Sequence, residues 1–439
     1  MGNYLPSTQR EREEMLKAIG LQTMNDLYHD VPESVLLKKP LNIPKGLSEM
    51  EVRGKMRSLA SENKRFDVIL RGAGAYDHYI PAIVASVTSK EEFSTTYTPY
   101  QAEISQGILQ SIFEFQTMIC ELTGMDVSNA SLYDGASSAA EAAMMCLDRR
   151  RDQVLVSGSV HPETIETIRT YGWGRNVDVR VVPVKDGRTD QDALAEMLNE
   201  KTACVLTQQP NFFGQIEDAA KLNEIIHAAG AKAIMSVYPI SLGLLETPAD
   251  QGADIVAGEG QPLGMPLSFG GPYLGFLACR KELTRLLPGR IVGETKDAQE
   301  RRAFVLTLQA REQHIRREKA SSNVCSNQAL CAMTAGVYMA AIGPEGFRQA
   351  AELCYHKAHY FAKELEKIPG FSRVYQGEFF NEFVTACPVD AKLLERRLME
   401  RGILSGLPIE NGMLWCVTEK QSRETLDGVI TIIREVCAQ

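Results

Sequence analysis

The spacing of apolar and polar positions separates an N-terminal arm from the rest of the chain. Residues 9–19 predict an amphipathic helix capped by Ser7 or Thr8, and residues 48–61 predict a second, more polar helix. Prolines interrupt the stretch between these helices, and the segment has too few apolar residues for a core of its own. We therefore predict that residues 1–63 form a helical arm that must pack on something else.

The central part of the chain alternates between short apolar runs and helical periods. Apolar residues at positions 104, 108, 112, 115 and 119 follow one face of a long helix, and a small-residue helix is expected from 137 to 147. Short β-rich runs lie at 154–156, 177–182, 204–207, 233–237, 254–257 and 273–279, with helical patterns at 189–199 and 217–229. Strands that alternate with helices indicate βαβ crossovers and a mostly parallel sheet.

A different pattern begins near residue 319. A long helix is expected over 320–342, closed by Gly343-Pro344, and it leads into mixed helices and strands. We predict a large α/β domain over 64–318 and a small α+β domain over 319–439.

Composition and charge narrow the class of protein. The chain has 439 residues, of which 44% are hydrophobic, and 47 basic residues against 56 acidic ones give a net charge of −9. This balance disfavours a nucleic-acid or anionic-membrane surface. No apolar run has the length of a membrane span, and the N-terminus lacks the apolar core of a signal peptide. The ten cysteines show no CxxC or metal-site spacing, so we expect reduced thiols, no metal and a cytoplasmic location.

Several familiar motifs are either incomplete or absent. Residues 66–74 imitate a strand that enters a dinucleotide-binding turn, but Asp77 stands where the third glycine belongs and no long helix precedes Pro81. P-loop, HExxH and GxSxG patterns are missing. Ser159 and His161 are neighbours, yet two residues do not make a catalytic triad.

Other segments carry candidate chemistry, and three of them also have a purely structural interpretation. Residues 96–107 place hydroxyls and amides before the long helix, as a ligand-presenting loop or as a helix N-cap. Residues 133–138 open a helix whose N–H groups suit an anion, or merely cap it. Residues 258–272 form a loop rich in glycine and proline, and residues 317–328 open the C-terminal domain. The basic run at 311–319 contains acids, which favours a solvated helix face over a phosphate site.

Taken in order, these segments resemble the glycine cleavage system P-protein family, and more closely subunit 1, the alpha subunit, of its split form. Residues 72–81, 97–107 and 317–328 carry the resemblance, which extends over essentially the whole chain. The family implies a fold-type-I pyridoxal-phosphate (PLP) transferase architecture. It also implies a reaction in which glycine bound to PLP loses carbon dioxide and passes its aminomethyl group to the lipoamide of H-protein.

The chain departs from the pattern of a PLP enzyme at two places. Such chemistry requires a lysine for the Schiff base and usually an Asp beside the pyridine nitrogen. No lysine occurs between residues 233 and 280, and comparison with the family's PLP-bearing half places Gln261 at the lysine position. The strand at 233–238 carries no Asp. The resemblance therefore implies that PLP belongs to a partner beta subunit, and that this chain binds no cofactor and is active only with that partner.

For residues that line the partner's active site in trans, we predict Tyr97, Tyr100, Gln101 and Glu103, together with His161, which follows a strand where related chains stack a ring on the cofactor. The alternative is a structural or regulatory scaffold whose tyrosines only pack the interface. An autonomous PLP enzyme that uses some other lysine is disfavoured by the lysine-free stretch.

Overall fold

The computed structural model describes residues 7–95 and 98–438. The chain divides into two compact units, Met1–Lys64 and Arg65–Gln439. In the first unit, α1 (Gln9–Ala18) and α2 (Glu49–Ser61) confirm the two predicted helices. Thr8 and Ser48 cap them through reciprocal hydrogen bonds with a glutamate three residues later. Leu37, Ile43 and other large apolar side chains of this unit are exposed.

The second unit contains seventeen strands and eleven further α-helices in its described residues, besides four short 3-10 helices. The strands are β1 (Val68–Ile69), β2 (Val127–Ser128), β3 (Gln153–Ser157), β4 (Asp178–Val182), β5 (Val184–Lys185), β6 (Arg188–Thr189), β7 (Thr202–Gln209), β8 (Lys232–Val237), β9 (Ile255–Glu259), β10 (Gly275–Cys279), β11 (Ile291–Lys296), β12 (Arg302–Thr307), β13 (Ser372–Arg373), β14 (Glu382–Ala386), β15 (Ile403–Leu404), β16 (Leu407–Ile409) and β17 (Gly412–Cys416). The helices are α3 (Ala82–Thr88), α4 (Glu91–Ser94), α5 (Gln106–Thr123), α6 (Gly135–Met144), α7 (Pro162–Arg175), α8 (Gln191–Met197), α9 (Ala219–Ala228), α10 (Gln313–Arg316), α11 (Ala329–Glu366), α12 (Ala391–Glu400) and α13 (Arg423–Cys437).

A seven-stranded sheet forms the centre of this unit, in the order β2-β10-β9-β8-β7-β3-β4. The five strands from β9 to β4 are parallel, whereas β10 runs antiparallel to both of its neighbours. Strands β3 and β10 are buried along their whole length, because helices cover both faces of the sheet. The predicted α/β architecture with a mostly parallel sheet is confirmed.

Helix α6 packs unusually close to the sheet because nearly all its residues are small. Ser137 and the seven residues that follow it are buried. A Cβ atom at Gly275 on β10 would lie 2.2 Å from the Ser138 hydroxyl oxygen, so only glycine fits there. This close approach brings the start of α6 against the carboxyl end of β9.

A four-stranded antiparallel sheet, in the order β13-β14-β17-β16, lies in the C-terminal part of the chain. Its core contains Trp415 and Phe383 from the sheet, Phe361 from α11 and Ile433 from α13. Strand β1 pairs in parallel with β15. The domain boundary near residue 318 remains a prediction.

The predicted helix over residues 320–342 is wrong at its start, and its predicted end at Gly343-Pro344 is confirmed. It begins at Ala329, since the Asn327 amide and the Gln328 N–H both donate to the Ser131 hydroxyl and hold the preceding residues out of helical geometry. At Gly343 the backbone leaves helical geometry (φ 61°, ψ 177°), and the helix then resumes through Pro344 to Glu366.

The basic run at 311–319 forms short helices rather than one continuous face. The Arg311 guanidinium donates to the carbonyls of Gly289 and Leu308, so this side chain anchors a neighbouring loop. In the described part of the chain, no helix combines the length and apolar character needed to cross a bilayer.

Candidate active-site cleft

A cleft of about 670 Å³ opens at the carboxyl ends of the parallel strands. Open α/β sheets place their ligand sites at this edge, because the loops that follow the strands converge there. The cleft is bordered by the loop at 73–76, the starts of α6 and α7, and the ends of β7, β8 and β9. Its described lining residues include Asp134, Glu163 and Glu259 but no lysine and no arginine. The cleft is therefore acidic.

The side chain of Gln261 lies behind this lining and is only 1% exposed. Its amide oxygen accepts a hydrogen bond from the Tyr76 N–H at 2.8 Å, and its amide nitrogen donates to the carbonyls of Tyr76 (3.0 Å) and Met265 (2.7 Å). These bonds use the amide as a structural clamp between two loops. Ser236 and Tyr238 line the cleft at the end of β8, a strand that carries no carboxylate.

The start of α6 is occupied by carboxylates. Asp134 caps the helix by accepting from the Ser137 N–H at 2.7 Å. Glu259, at the end of β9, accepts from the N–H groups of Gly135 (2.9 Å), Gln261 (2.8 Å) and Leu274 (3.0 Å). Burial raises the pKa of Glu259 to about 7, although these three N–H groups act to lower it. From the sequence, this helix N-terminus was either an anion site or simply a capped helix end. In the structure Asp134 caps the helix and Glu259 accepts from its first N–H group, so the chain itself supplies both groups.

A second buried carboxylate holds the loop at 72–76. Glu382, on β14, accepts from the Ala73 N–H and from the Tyr76 hydroxyl, each at 2.7 Å. Burial raises the pKa of Glu382 to about 7, against the effect of these two donors. Desolvation, followed by the charge of Glu382, raises the pKa of Tyr76 well above its usual value. This contact ties the cleft loop to the C-terminal sheet.

Tyr238 leads from the cleft to a further polar group. Its hydroxyl bonds to Nε2 of His78, whose Nδ1 lies 2.6 Å from the carboxylate of Glu419. Burial acts to raise the pKa of Glu419, but the hydrogen bond and charge of His78 outweigh it, and the pKa is lowered. His78, Cys354 and Glu419 offer atoms within 4.8 Å of one another that could hold a metal ion. Hydrogen bonds to Glu419 already engage the other two side chains.

His161 lies at the rim of the cleft as the N-cap of α7. Its Nδ1 accepts from the Glu163 N–H at 3.2 Å, and Nε2 lies 2.8 Å from the Ala73 carbonyl. Since a carbonyl only accepts, Nε2 is the donor in this contact. The ring also packs edge-on against Phe212. Both nitrogens of His161 are therefore engaged within this chain.

Three of the other predicted residues, Tyr100, Gln101 and Glu103, lie before α5 and do not line the cleft. Tyr97 falls outside the described residues. Tyr100 is 57% exposed, and Gln101 and Glu103 are also exposed. The Tyr100 hydroxyl accepts from the guanidinium of Arg290 at 3.1 Å, and the cation lies 5.3 Å from the centre of the tyrosine ring. This contact fixes one end of a side chain that is otherwise presented outwards.

Arg290 is itself buried, with 6% of its surface exposed. It donates to the Asn327 amide oxygen at 3.2 Å, and its Nε has no hydrogen-bond partner among the described residues. Asn327 precedes Gln328, which lines the cleft. The exposed loop and the cleft are thus joined through a short chain of polar side chains.

Sequence reasoning missed Glu259, Glu382 and Arg290. An acid between two glycines at the end of a strand was a usable signal for Glu259. The sequence around Glu382 contained no such signal, because its partners Ala73 and Tyr76 lie more than three hundred residues away in sequence.

The fold and the cleft together define the class of protein. The structure resembles sphingosine-1-phosphate lyase of Burkholderia pseudomallei with a TM-score of 0.67, covering 93% of this chain and 95% of the other at 15% identity. It resembles a crystal structure of glycine decarboxylase (P-protein) of the glycine cleavage system, in inhibitor-bound form, with a TM-score of 0.94 at 41% identity. That comparison covers 99% of this chain and 100% of the other. The fold is that of the fold-type-I PLP-dependent enzymes.

Residues 2–433 match the family described as "Glycine cleavage system P-protein". The chain is 50% identical over 443 residues to the probable glycine dehydrogenase (decarboxylating) subunit 1 of Moorella thermoacetica, covering 99% of this chain and 100% of the relative. A protein of the same description from Desulfitobacterium hafniense is 49% identical over 444 residues, with the same coverage. The chain belongs to the glycine cleavage system P-protein family, as its sequence motifs predict.

Proposed function

We propose that this chain is subunit 1 of a two-subunit glycine dehydrogenase (decarboxylating), and that the PLP of the enzyme is held by the second subunit. With that partner it decarboxylates glycine, and the aminomethyl group passes to the lipoamide of H-protein in the cytoplasm. PLP supplies the electron sink for loss of the carboxylate when it is bound in the partner. Family membership supports the reaction, and the subunit 1 description of the relatives supports the two-chain enzyme.

The observation that carries the division of labour is Gln261. An amide nitrogen cannot form a Schiff base. This amide is also buried, and its oxygen and nitrogen both form hydrogen bonds with backbone groups. Neither lysine nor arginine stands among the described residues of the cleft lining. The residues present do not fit PLP, so no catalytic step is assigned to this chain's own cleft.

The exposed loop before α5 supplies the groups offered to the partner. Tyr100, Gln101 and Glu103 combine hydrogen-bonding side chains with exposure, and the buried cation of Arg290 orients the first of them. Tyr97 belongs to the proposal on sequence grounds alone. His161 borders this chain's own cleft, and its satisfied ring nitrogens support a role in shaping the loop at 73–76 rather than in reaching the partner.

The test is glycine–carbon dioxide exchange, measured with labelled bicarbonate and lipoylated H-protein. We expect exchange only when this chain and the PLP-bearing subunit are combined. Full exchange by the second subunit alone would contradict the proposal, as would exchange by this chain alone.

The contribution of the loop is tested in the assembled complex. Tyr100→Phe and Glu103→Gln should each lower kcat by about tenfold to hundredfold, the effect of losing one oriented hydrogen bond near the reacting groups. Glu196→Gln, an exposed acid on α8, is the matched control and should leave exchange unchanged. In the scaffold alternative, the loop variants would weaken assembly, measured by the Kd of the two subunits, without changing turnover of the saturated complex.

A further inference from the structure

The carboxylate of Glu259 sits in a cradle made by backbone N–H groups from three separate segments. Gly135 belongs to the first turn of α6, Gln261 to the loop after β9, and Leu274 to the residues just before β10. One carboxylate oxygen accepts from Gln261 and Leu274, and the other accepts from Gly135. Convergent backbone N–H groups at a helix N-terminus are the arrangement that proteins use to bind phosphate.

The packing around the cradle shows that it is filled rather than open. A Cβ atom added at Gly135 would lie 2.8 Å from the Cβ of Glu259 and 2.9 Å from its backbone nitrogen. The end of β9 therefore presses directly on the start of the helix. Asp134, also in the cleft lining, adds a second negative charge beside the same helix end.

We propose that the carboxyl group of Glu259 takes the place of a ligand's phosphate at the start of α6, so that the cleft is stable without a cofactor and rejects phosphorylated ligands. The inference rests on the proposed function, in which this chain's cleft holds no PLP. It extends that function by naming the residue that excludes the phosphate end of such a ligand. Gln261 accounts only for the missing attachment point.

The consequence is that removal of the side chain should turn the cradle into an oxyanion site. In Glu259→Ala the three N–H donors lose their acceptor and face a space the size of a carboxymethyl group. Inorganic phosphate is the probe, because it requires no lysine. Glu163→Ala is the control: it removes one acidic side chain from the same cleft lining and leaves the cradle intact.

The experiment is titration of the full-length chain with inorganic phosphate, followed by ³¹P line broadening and by calorimetry at constant ionic strength. We expect phosphate to bind Glu259→Ala at least about tenfold more tightly than the wild-type chain or Glu163→Ala. Equal affinity in all three proteins would overturn the inference, and so would the same gain in Glu163→Ala, which would point to general charge repulsion.

A stability measurement keeps the inference testable if Glu259→Ala folds poorly. Phosphate should raise the Tm of Glu259→Ala progressively with concentration, since a ligand that binds only the folded state stabilises it. Phosphate should leave the Tm of Glu259→Gln unchanged, because the glutamine still fills the cradle. Failure of phosphate to stabilise Glu259→Ala, or equal stabilisation of both variants, would refute the role assigned to Glu259. Neither result bears on the two-subunit exchange assay, so the proposed function is judged separately.

Discussion

Replacing Glu382 by glutamine should change how the stability of the chain depends on pH. The carboxyl group is 5% exposed and holds the cleft loop through Ala73 and Tyr76. Its pKa rises from an ordinary 4.5 to about 7, so the folded chain holds this proton more tightly than the unfolded chain does. The free energy of unfolding therefore decreases as the pH rises from 4.5 through 7.

The size of the effect follows from that shift. At about 1.4 kcal/mol for each pKa unit, ionisation of Glu382 costs the folded chain roughly 3 kcal/mol once the pH is above 7. Glutamine keeps the shape and cannot ionise. Its oxygen can accept from Ala73, and its amide can donate to the Tyr76 hydroxyl. We expect Glu382→Gln to match the wild-type chain near pH 5 and to exceed its unfolding free energy by about 2–3 kcal/mol at pH 8.

The assay is urea unfolding at pH 5, 6, 7 and 8, followed by tryptophan fluorescence. Trp415 is fully buried on the strand that pairs with β14, so it reports on this region, whereas Trp173 is 84% exposed and gives a nearly constant background. Glu259 titrates in the same range, but it is present in both proteins and cancels in their difference. Glu196→Gln should show no such difference at any pH. A gap between Glu382→Gln and wild type that stays constant from pH 5 to pH 8 would refute the reasoning.

Three further outcomes are expected. Gly72→Ala should lower the free energy of unfolding by about 1–3 kcal/mol, because its Cβ would lie 2.4 Å from a carboxylate oxygen of Glu382, and urea unfolding measures this. Glu419→Gln should be less stable than wild type by about 1–3 kcal/mol at pH 7, with the gap closing as the pH falls below 4.5, since the lowered pKa of Glu419 stabilises the fold only while the group is ionised. In the assembled enzyme, Tyr100→Phe and Arg290→Lys together should reduce exchange by less than the sum of their separate effects on the activation free energy, because they break the same contact. Additive effects would show that the two residues act independently.

Local patterns were sufficient to predict most of the fold. The small residues after Asp134 predicted a helix, and the apolar runs at 154–156 and 204–207 predicted the buried strands β3 and β7. The start expected at residue 320 for the long helix was wrong, because Asn327 and Gln328 bond to Ser131, a contact between distant parts of the chain. Periodicity contains no information about such a contact.

The site was predicted less completely, for the same physical reason. The missing lysine could be recognised at Gln261 from sequence, but the hydrogen bonds that make Gln261 a clamp depend on a loop that lies 185 residues earlier. Glu259 stood in a segment already marked by its glycines, yet its role depends on the start of α6 lying against the end of β9. The residue types thus indicated that the lysine of a PLP enzyme is absent, and only the packing shows the contacts that Gln261 and Glu259 make in its place.

The most direct test of the central claim is borohydride reduction of this chain, purified alone and incubated with PLP, followed by absorption spectroscopy and mass mapping of lysine-containing peptides. We expect no Schiff-base absorption band and no stoichiometric pyridoxyl adduct on any lysine. The PLP-bearing subunit treated in the same way should give one modified lysine. A stable band trapped on a single lysine of this chain would contradict the account and make the chain a PLP enzyme in its own right.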